Sequence, residues 1–437
     1  MTQLKRTLSL STLVIFGVGL MTPIIVLGTF GILAQSSGGH APMAYLAALV
    51  AMFLTALSYA HMARAFPVSG SSYTYVRKAI NPKLGFMTGW AILLDYLFLP
   101  MAIWLIGTAY LSSAYPAIPG YVWLLTFIAL TSAINIIGLK LATAVNIALL
   151  VIQILVLGAF ITLCVHYTLG DATKPLFSLA PFTSGGVQWP VIMSGAAIAC
   201  YSYLGFDAVS TLTEETHNPE RNIPRAILLV TIIGGLIFVG TSYIVQIAQP
   251  SLEFANVDAA AYEIARNIGG DIFVSIFLIG LILGQFTSGI AAQASGSRLL
   301  YVLGRDSALP KAFFGYLSPR FKTPVFCILL SAVVALLALN MDVTTSTSFI
   351  NFGAFLTFIL VNLSVIFHYW RAEKRRGAVA FVLYLLLPAA GMAADLWLMF
   401  SLDKKAVVLG LSWLAIGFVY LLFLTGGLRR QPPELAM

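Results

Sequence analysis

The sequence predicts an all-α polytopic membrane protein. Three observations predict it: an apolar composition, a succession of apolar runs long enough to cross a bilayer, and a lopsided placement of basic residues. The chain has 437 residues, of which 59% are apolar and only 9% charged, and its mean hydropathy is +0.94. Soluble domains carry about 25% charged residues. A chain this poor in charge cannot cover itself with polar surface, so lipid is its solvent.

A helix crossing the ~30 Å hydrocarbon layer takes about 20 mostly apolar residues. Apolar runs fall near 10–33 (α1), 41–63 (α2), 84–114 (α3), 120–139 (α4), 144–169 (α5), 190–213 (α6), 224–249 (α7), 270–302 (α8), 323–341 (α9), 345–370 (α10), 380–401 (α11) and 405–427 (α12). Backbone groups in lipid must be satisfied within the segment, so each run reads as a helix. No stretch is long and polar enough for a second, soluble domain, and 1–437 reads as one transmembrane domain.

Placing the N-terminus in the cytoplasm puts 20 of the 24 Lys and Arg on the cytoplasmic side. Only Lys174, Arg266, Lys404 and Lys405 fall outside. The positive-inside rule therefore predicts that both termini are cytoplasmic. It also accounts for the net charge of +8 without any nucleic acid partner.

Cys164, Cys200 and Cys327 lie in apolar stretches with no metal-ligand spacing, so neither a metal nor a cofactor is expected. The chain has no ATPase-type phosphate loop, no HExxH and no nucleophile elbow. Enzymatic chemistry and ATP-driven transport lack their parts. The first apolar run has no small-residue cleavage site and reads as retained. The short polar tail after Leu428 carries no signalling domain, which argues against a receptor.

Three connections are long. Residues 64–83 read as a cytoplasmic loop with a short amphipathic helix, 250–269 as an outer helix that could cover an external mouth, and 303–322 as a second cytoplasmic loop.

Two crossings carry helix-weakening residues near mid-membrane. α1 contains Gly17, Gly19 and Pro23, and α6 contains Gly205 beside Asp207. Proline removes a backbone hydrogen bond and clashes with the preceding turn. The two breaks are five crossings apart and each lies about a dozen residues from its helix start. That pattern predicts an inverted five-plus-five repeat, 10–169 and 190–370, followed by 380–427. Broken helices expose amides and carbonyls where a polar solute can bind.

Intramembrane carboxylates mark a substrate or ion pathway by default. Asp95 lies about a dozen residues into α3, and Asp207 lies at the α6 break. Asp395 in α11 stands outside the five-plus-five core and reads as structural. Glu214 and Glu215 at the end of α6 are followed by Arg221 and Arg225, and read as a cytoplasmic ion-pair gate in which Arg64 and Arg77 are candidate partners. His40, His61, His166, His217 and His368 all fall near membrane edges, so none reads as a buried proton relay.

FPVSGSSYTYVRKAINPKLGFMTGW (66–90), GFDAVSTLTEETHNPERNIPRAI (205–227) and SRLLYVLGRDSALPKAFFGYLSPRFKTP (297–324) resemble signatures of the amino acid–polyamine–organocation superfamily. With the hydropathy profile, the resemblance spans the whole chain. MTP (21–23), TFGI (29–32), LLDYLFLPM (93–101), LGFDAVSTLTEET (204–216) and INFGAF (350–355) are closer still to the bacterial putrescine importers of that superfamily. The resemblance implies a LeuT-type fold, a bacterial inner membrane and secondary active uptake of a small amine. Where those importers carry Asp before TFG, this chain has Gly28, so one candidate amine anchor is absent.

IGTAYLSSAYP (106–116) is similar to the matching stretch of arginine–agmatine antiporters. That similarity implies that Asp95, Tyr96 and Pro100 of α3 and Tyr201, Leu204 and Asp207 of α6 face the substrate. With Met21, Thr22 and Pro23 at the first break and Gly205 and Phe206 at the second, these form the expected binding site. Two carboxylates suit a dication through charge-assisted hydrogen bonds. Tyr96, Tyr201, Tyr203 and Phe206 could offer aromatic faces to it. Amino-acid-carrying members show a small-residue run at the α1 break whose amides hold a carboxylate. Pro23 has no amide hydrogen, which favours a substrate without a carboxylate. A proton at Asp95 or Asp207 is the expected coupling ion, sodium near Thr287 and Ser288 is the alternative, and an amino acid is the alternative substrate.

Overall fold

The computed structural model describes residues 6–68, 71–138, 143–171, 175–183, 186, 188–305 and 308–433. Lys5, Lys140 and Lys174, counted above, and Ser69, Gly70, Asp306 and Ser307 of the quoted segments lie outside them.

Eleven helices are long and apolar enough to cross a membrane, and a shorter apolar helix brings the described crossings to the expected twelve. The short one is α9, Val325–Ala335, extended by a 3₁₀ turn over Leu336–Asn340. At 1.5 Å per α-helical and 2.0 Å per 3₁₀ residue it reaches roughly 26 Å. The tighter winding stretches a 16-residue segment close to bilayer thickness.

Helix starts follow their capping residues. Asn81 caps α3 (Pro82–Ala114), accepting from Leu84 N at 2.9 Å. Asp342 caps α10 (Val343–Val365), accepting from Thr345 N at 2.6 Å. Asp403 caps α12 (Lys404–Thr425), accepting from Ala406 N at 3.1 Å. Each cap satisfies an amide that the first turn leaves free. α7 begins at Pro219, a turn before its apolar run, because the polar turn PERN continues the helix beyond the lipid. The outer helix expected before α8 is present, running from Ala260 to a bend at Gly270. The amphipathic helix expected in the first cytoplasmic loop is Ser71–Ala79.

α2 (Ala41–Ala65), α3 and α10 are mostly buried, whereas α5 (Thr143–Leu169), α11 and α12 bury little. The outward residues of the peripheral helices are large and apolar, such as Leu155 at 65% and Phe423 at 82% exposure, as a lipid-facing surface requires. α12 is fastened to α3 by a reciprocal pair of bonds. Trp90 Nε1 donates to the Trp413 carbonyl and Trp413 Nε1 to the Trp90 carbonyl, both at 2.9 Å, with the indoles stacked at 5.0 Å. On the end that carries the outer helix, the 252–259 segment lies over α1. Gln35 Nε2 donates to the Leu252 carbonyl at 3.2 Å, and the Val257 carbonyl leaves no room for a side chain at Gly31.

Candidate functional site

The two expected breaks are present. α1 runs Leu10–Leu20, unwinds over 21–24, and resumes as Ile25–Gly28 and Phe30–Ser36. Thr22 has φ +50°, a left-handed conformation uncommon for a residue other than glycine, at the point where the helix gives way before Pro23. α6 runs Trp189–Ala199, tightens to 3₁₀ over Cys200–Tyr203, unwinds over 204–206, and continues as 3₁₀ over Asp207–Glu215. The breaks touch. Gly205 has φ +114°, and a Cβ on it would lie 3.1 Å from the Leu20 Cβ. Only glycine supplies both that backbone angle and that approach.

Side chains take up the backbone groups that the breaks release, as lipid demands. Tyr110 Oη donates to the Leu27 carbonyl at 2.7 Å, and Asn351 Nδ2 to the Ala197 carbonyl at 2.7 Å. The Tyr45 hydroxyl stands between the breaks, 3.0 Å from Ser202 Oγ and 3.5 Å from Thr29 Oγ1.

A cavity of about 40 Å³ lies where the breaks meet α3 and α8. Met21, Thr22, Tyr201 and Leu204 line it, as expected, together with Gln285 and Ser288 of α8. It holds only a few waters, so a larger solute needs the breaks to part. The remaining expected residues are not on its wall. Asp95 lies one turn before the lining residue Leu99 on α3, and Asp207 one turn after the lining residue Leu204. The two carboxylates are near enough for their charges to interact. Both lie toward the end of the molecule that carries the Ser71–Ala79 helix, and so form a floor beneath the cavity.

Asp207 opens its 3₁₀ segment, and the backbone amides of 205, 207 and 208 face its carboxylate. Its charge also reaches Tyr59, Tyr75 and Tyr96. Asp95 Oδ1 is buried without a partner, as are the Tyr201 hydroxyl and Gln285 Nε2. Buried polar atoms normally pair; two of these orphans, on Tyr201 and Gln285, belong to residues that line the cavity, and the third lies beneath it. Among the described residues no Lys, Arg or His forms an ion pair with Asp95 or Asp207.

Other expected residues serve packing. Phe206 is buried with its ring 5.5 Å from Tyr59 and 5.4 Å from Phe358. Tyr203 donates to the Tyr45 carbonyl at 3.1 Å and meets Phe238 edge-on at 5.2 Å. Neither ring is available to a cation in the cavity. Pro23 and Pro100 are buried behind the wall. Thr287 Oγ1 donates back to the Leu283 carbonyl at 2.8 Å, so only Ser288 of that pair faces the cavity.

At the far end of α6, Glu214 is exposed and Glu215 half-buried. The Glu215 carbonyl accepts from Thr7 N and Leu8 N at 2.8 and 2.9 Å, and His217 N donates to the Leu8 carbonyl at 3.0 Å. This backbone bridge ties the start of α1 to the end of α6, a link the reading of the acidic side chains does not foresee. Gln285, Tyr59 and Tyr75 were not among the expected site residues either. The signal for Gln285 is present in the sequence as a lone amide in the apolar run LILGQFTSG.

The sequence matches the amino acid permease family over residues 12–403. The chain belongs to this family. The permease is therefore a multi-pass membrane transporter rather than an enzyme. It is 40% identical to the low-affinity putrescine importer PlaP of Escherichia coli K12, over 99% of this chain and 96% of that one. It is 28% identical to the branched-chain amino acid permease BcaP of Bacillus subtilis, over 95% of this chain and 92% of that one. It is 27% identical to the methylthioribose transporter of Bacillus subtilis, over 96% and 94%.

Proposed function

We propose that this permease imports a small organic amine, putrescine or a related polyamine, across the bacterial inner membrane. The observation that carries the reading is the pair Asp95 and Asp207, two interacting carboxylates with no basic partner among the described residues, beneath a cavity at the helix breaks. A carboxylate in a low-dielectric site needs a counter-charge, and an ammonium group supplies it. A diamine has one for each acid. The likeness to PlaP across nearly the whole chain points the same way.

In this reading the ammonium groups descend to Asp95 and Asp207 while the methylene chain lies against Met21, Ile25, Leu99 and Ile103 in the cavity. Tyr201 and Tyr96 flank the acids. Alternating access then moves two inverted repeats, 10–169 and 190–370, about the two breaks, with both termini in the cytoplasm. Protons drive the cycle through Asp95 or Asp207.

The test is uptake by the purified permease in proteoliposomes, using labelled putrescine, longer polyamines, monoamines and amino acids under imposed proton and sodium gradients. Saturable putrescine uptake, competed by other diamines and not by amino acids, supports the reading. Amino acid uptake without diamine uptake overturns it.

A further inference from the structure

Asp395 lies far from both breaks in sequence and outside the site described above, yet it has no exposure at all. It sits on α11 (Leu387–Phe400) in the seam with α2 and α10. Thr55 Oγ1 of α2 donates to its Oδ2 at 2.8 Å, and Asn362 Nδ2 of α10 donates to the same oxygen at 2.9 Å. The same amide nitrogen reaches Thr55 Oγ1 at 3.0 Å. Thr55 and Asn362 are also fully buried. Asp395 Oδ1 has no partner.

An ionised carboxylate here would be held by two neutral donors on one oxygen and nothing on the other. Leaving water without a counter-charge costs more than two such bonds return. Among the described residues none of the ion pairs involves Asp395. The titratable group facing it from α6 is the Cys200 thiol. On α2 the nearest is Tyr59, four residues beyond Thr55 or about 6 Å along the helix, whose ring packs on Phe206 and Phe358; His61 follows two residues later, its ring on Tyr369 and Tyr384. Tyr369 and His368, at the far end of α10, are the titratable groups on that side.

A metal cation is a poor occupant. The hydroxyl hydrogen of Thr55 and the amide hydrogens of Asn362 already point at Asp395 Oδ2 and Thr55 Oγ1, two of the oxygens a cation would need. Asn362 Oδ1 is turned toward Gly391, where a Cβ would lie 2.9 Å from it. Two oxygens of the cluster are left without a partner, Asp395 Oδ1 and Asn362 Oδ1, and of these only the carboxyl oxygen can take up a proton.

We propose that Asp395 is a proton-binding site separate from the substrate site, holding its proton on Oδ1 with Oδ2 as the carbonyl that accepts from Thr55 and Asn362. The three residues come from three helices and none touches solvent, so the proton enters or leaves only when α2 parts from α10 and α11. Its occupancy therefore follows the seam, whatever solute the permease carries.

Infrared spectroscopy of the intact permease in lipid at neutral pH tests this. Asp395→Asn should remove a protonated-carboxyl C=O band that moves in deuterated water. The variant should keep its melting temperature, because the amide reproduces the neutral acid. Thr55→Val removes one hydrogen bond from the same carbonyl and should shift that band to higher frequency without abolishing it, which keeps the test open if Asp395→Asn fails to fold. Loss of carboxylate bands instead of an acid band in Asp395→Asn would overturn the proposal. So would an unmoved acid band in Thr55→Val, or bands at Asp395 that respond to exchanging sodium for choline.

Discussion

The unpartnered Nε2 of Gln285 lies 3.6 Å from the point where a Cβ on Gly28 would stand. The nearest other atoms are Ile25 Cδ1 at 3.2 Å, the end of a side chain that can turn aside, and Ile106 Cγ2 at 3.5 Å, an ordinary van der Waals contact. A carboxylate at position 28 would have a donor waiting for it, one turn from the cavity-lining Ile25. Gly28→Asp should therefore be tolerated and should tighten diamine binding about tenfold, the value of one added charge-assisted contact after desolvation. Calorimetric titration with putrescine measures it. Unchanged affinity in a folded variant places Gly28 beyond the ligand's reach.

Asp207→Asn keeps the size of the side chain and deletes its charge. Truncating one partner of a buried charge pair costs roughly 2–5 kcal/mol, on the order of a thirty- to several-thousand-fold loss of affinity. Asp95→Asn should weaken a diamine similarly and a monoamine less, because on the proposed reading the second ammonium is what it would hold. Binding to both variants in detergent, with melting curves as the folding control, checks this. A folded Asp207→Asn that binds the diamine as tightly as the parent removes Asp207 from the site.

Gly205 joins the two breaks, and its substitution tests that junction. Gly205→Ala places an L side chain at φ +114° and a methyl 3.1 Å from the Leu20 Cβ. The backbone alone costs about 1–2 kcal/mol, and the contact forces the helix segments apart. The expected outcome is a lower melting temperature with uptake largely lost. A variant with the parent's stability and uptake would falsify the close junction of α1 and α6.

If protons drive uptake, acidifying the outside should raise the rate, a protonophore should abolish it, and sodium should be dispensable. Strict sodium dependence with indifference to pH moves coupling to Ser288, the hydroxyl of α8 that faces the cavity.

The crossings were legible because lipid leaves a chain few choices: long apolar runs must be helices, and Gly and Pro must mark where they fail. Pro23 and Gly205 located both breaks to within a residue or two. Asp95 and Asp207 were legible as carboxylates that lipid would not tolerate idly, although the structure sets them beneath the cavity rather than on its wall. The role of aromatic rings was not legible. Phe206 and Tyr203 sit in the broken segment, but which way a side chain points from an unwound backbone follows no helical period. Tyr75 was hidden for another reason: it lies on a loop helix, and only the fold brings it to Asp207. The partners of Asp395 lie 340 and 33 residues away, so nothing local announces them.

The reciprocal Trp90 and Trp413 bonds link residues 323 positions apart. Ribosomes add about 5–20 residues per second, so Trp90 is in the membrane for roughly 16–65 s before its partner exists. For that interval its indole must find water or lipid headgroups, and α3 can settle against α10 only provisionally. The final helix thus arrives as a latch on an assembly already built. A chain that stops short of Trp413 would leave the Trp90 indole and carbonyl of α3 without these partners, exposed to the cell's membrane quality control.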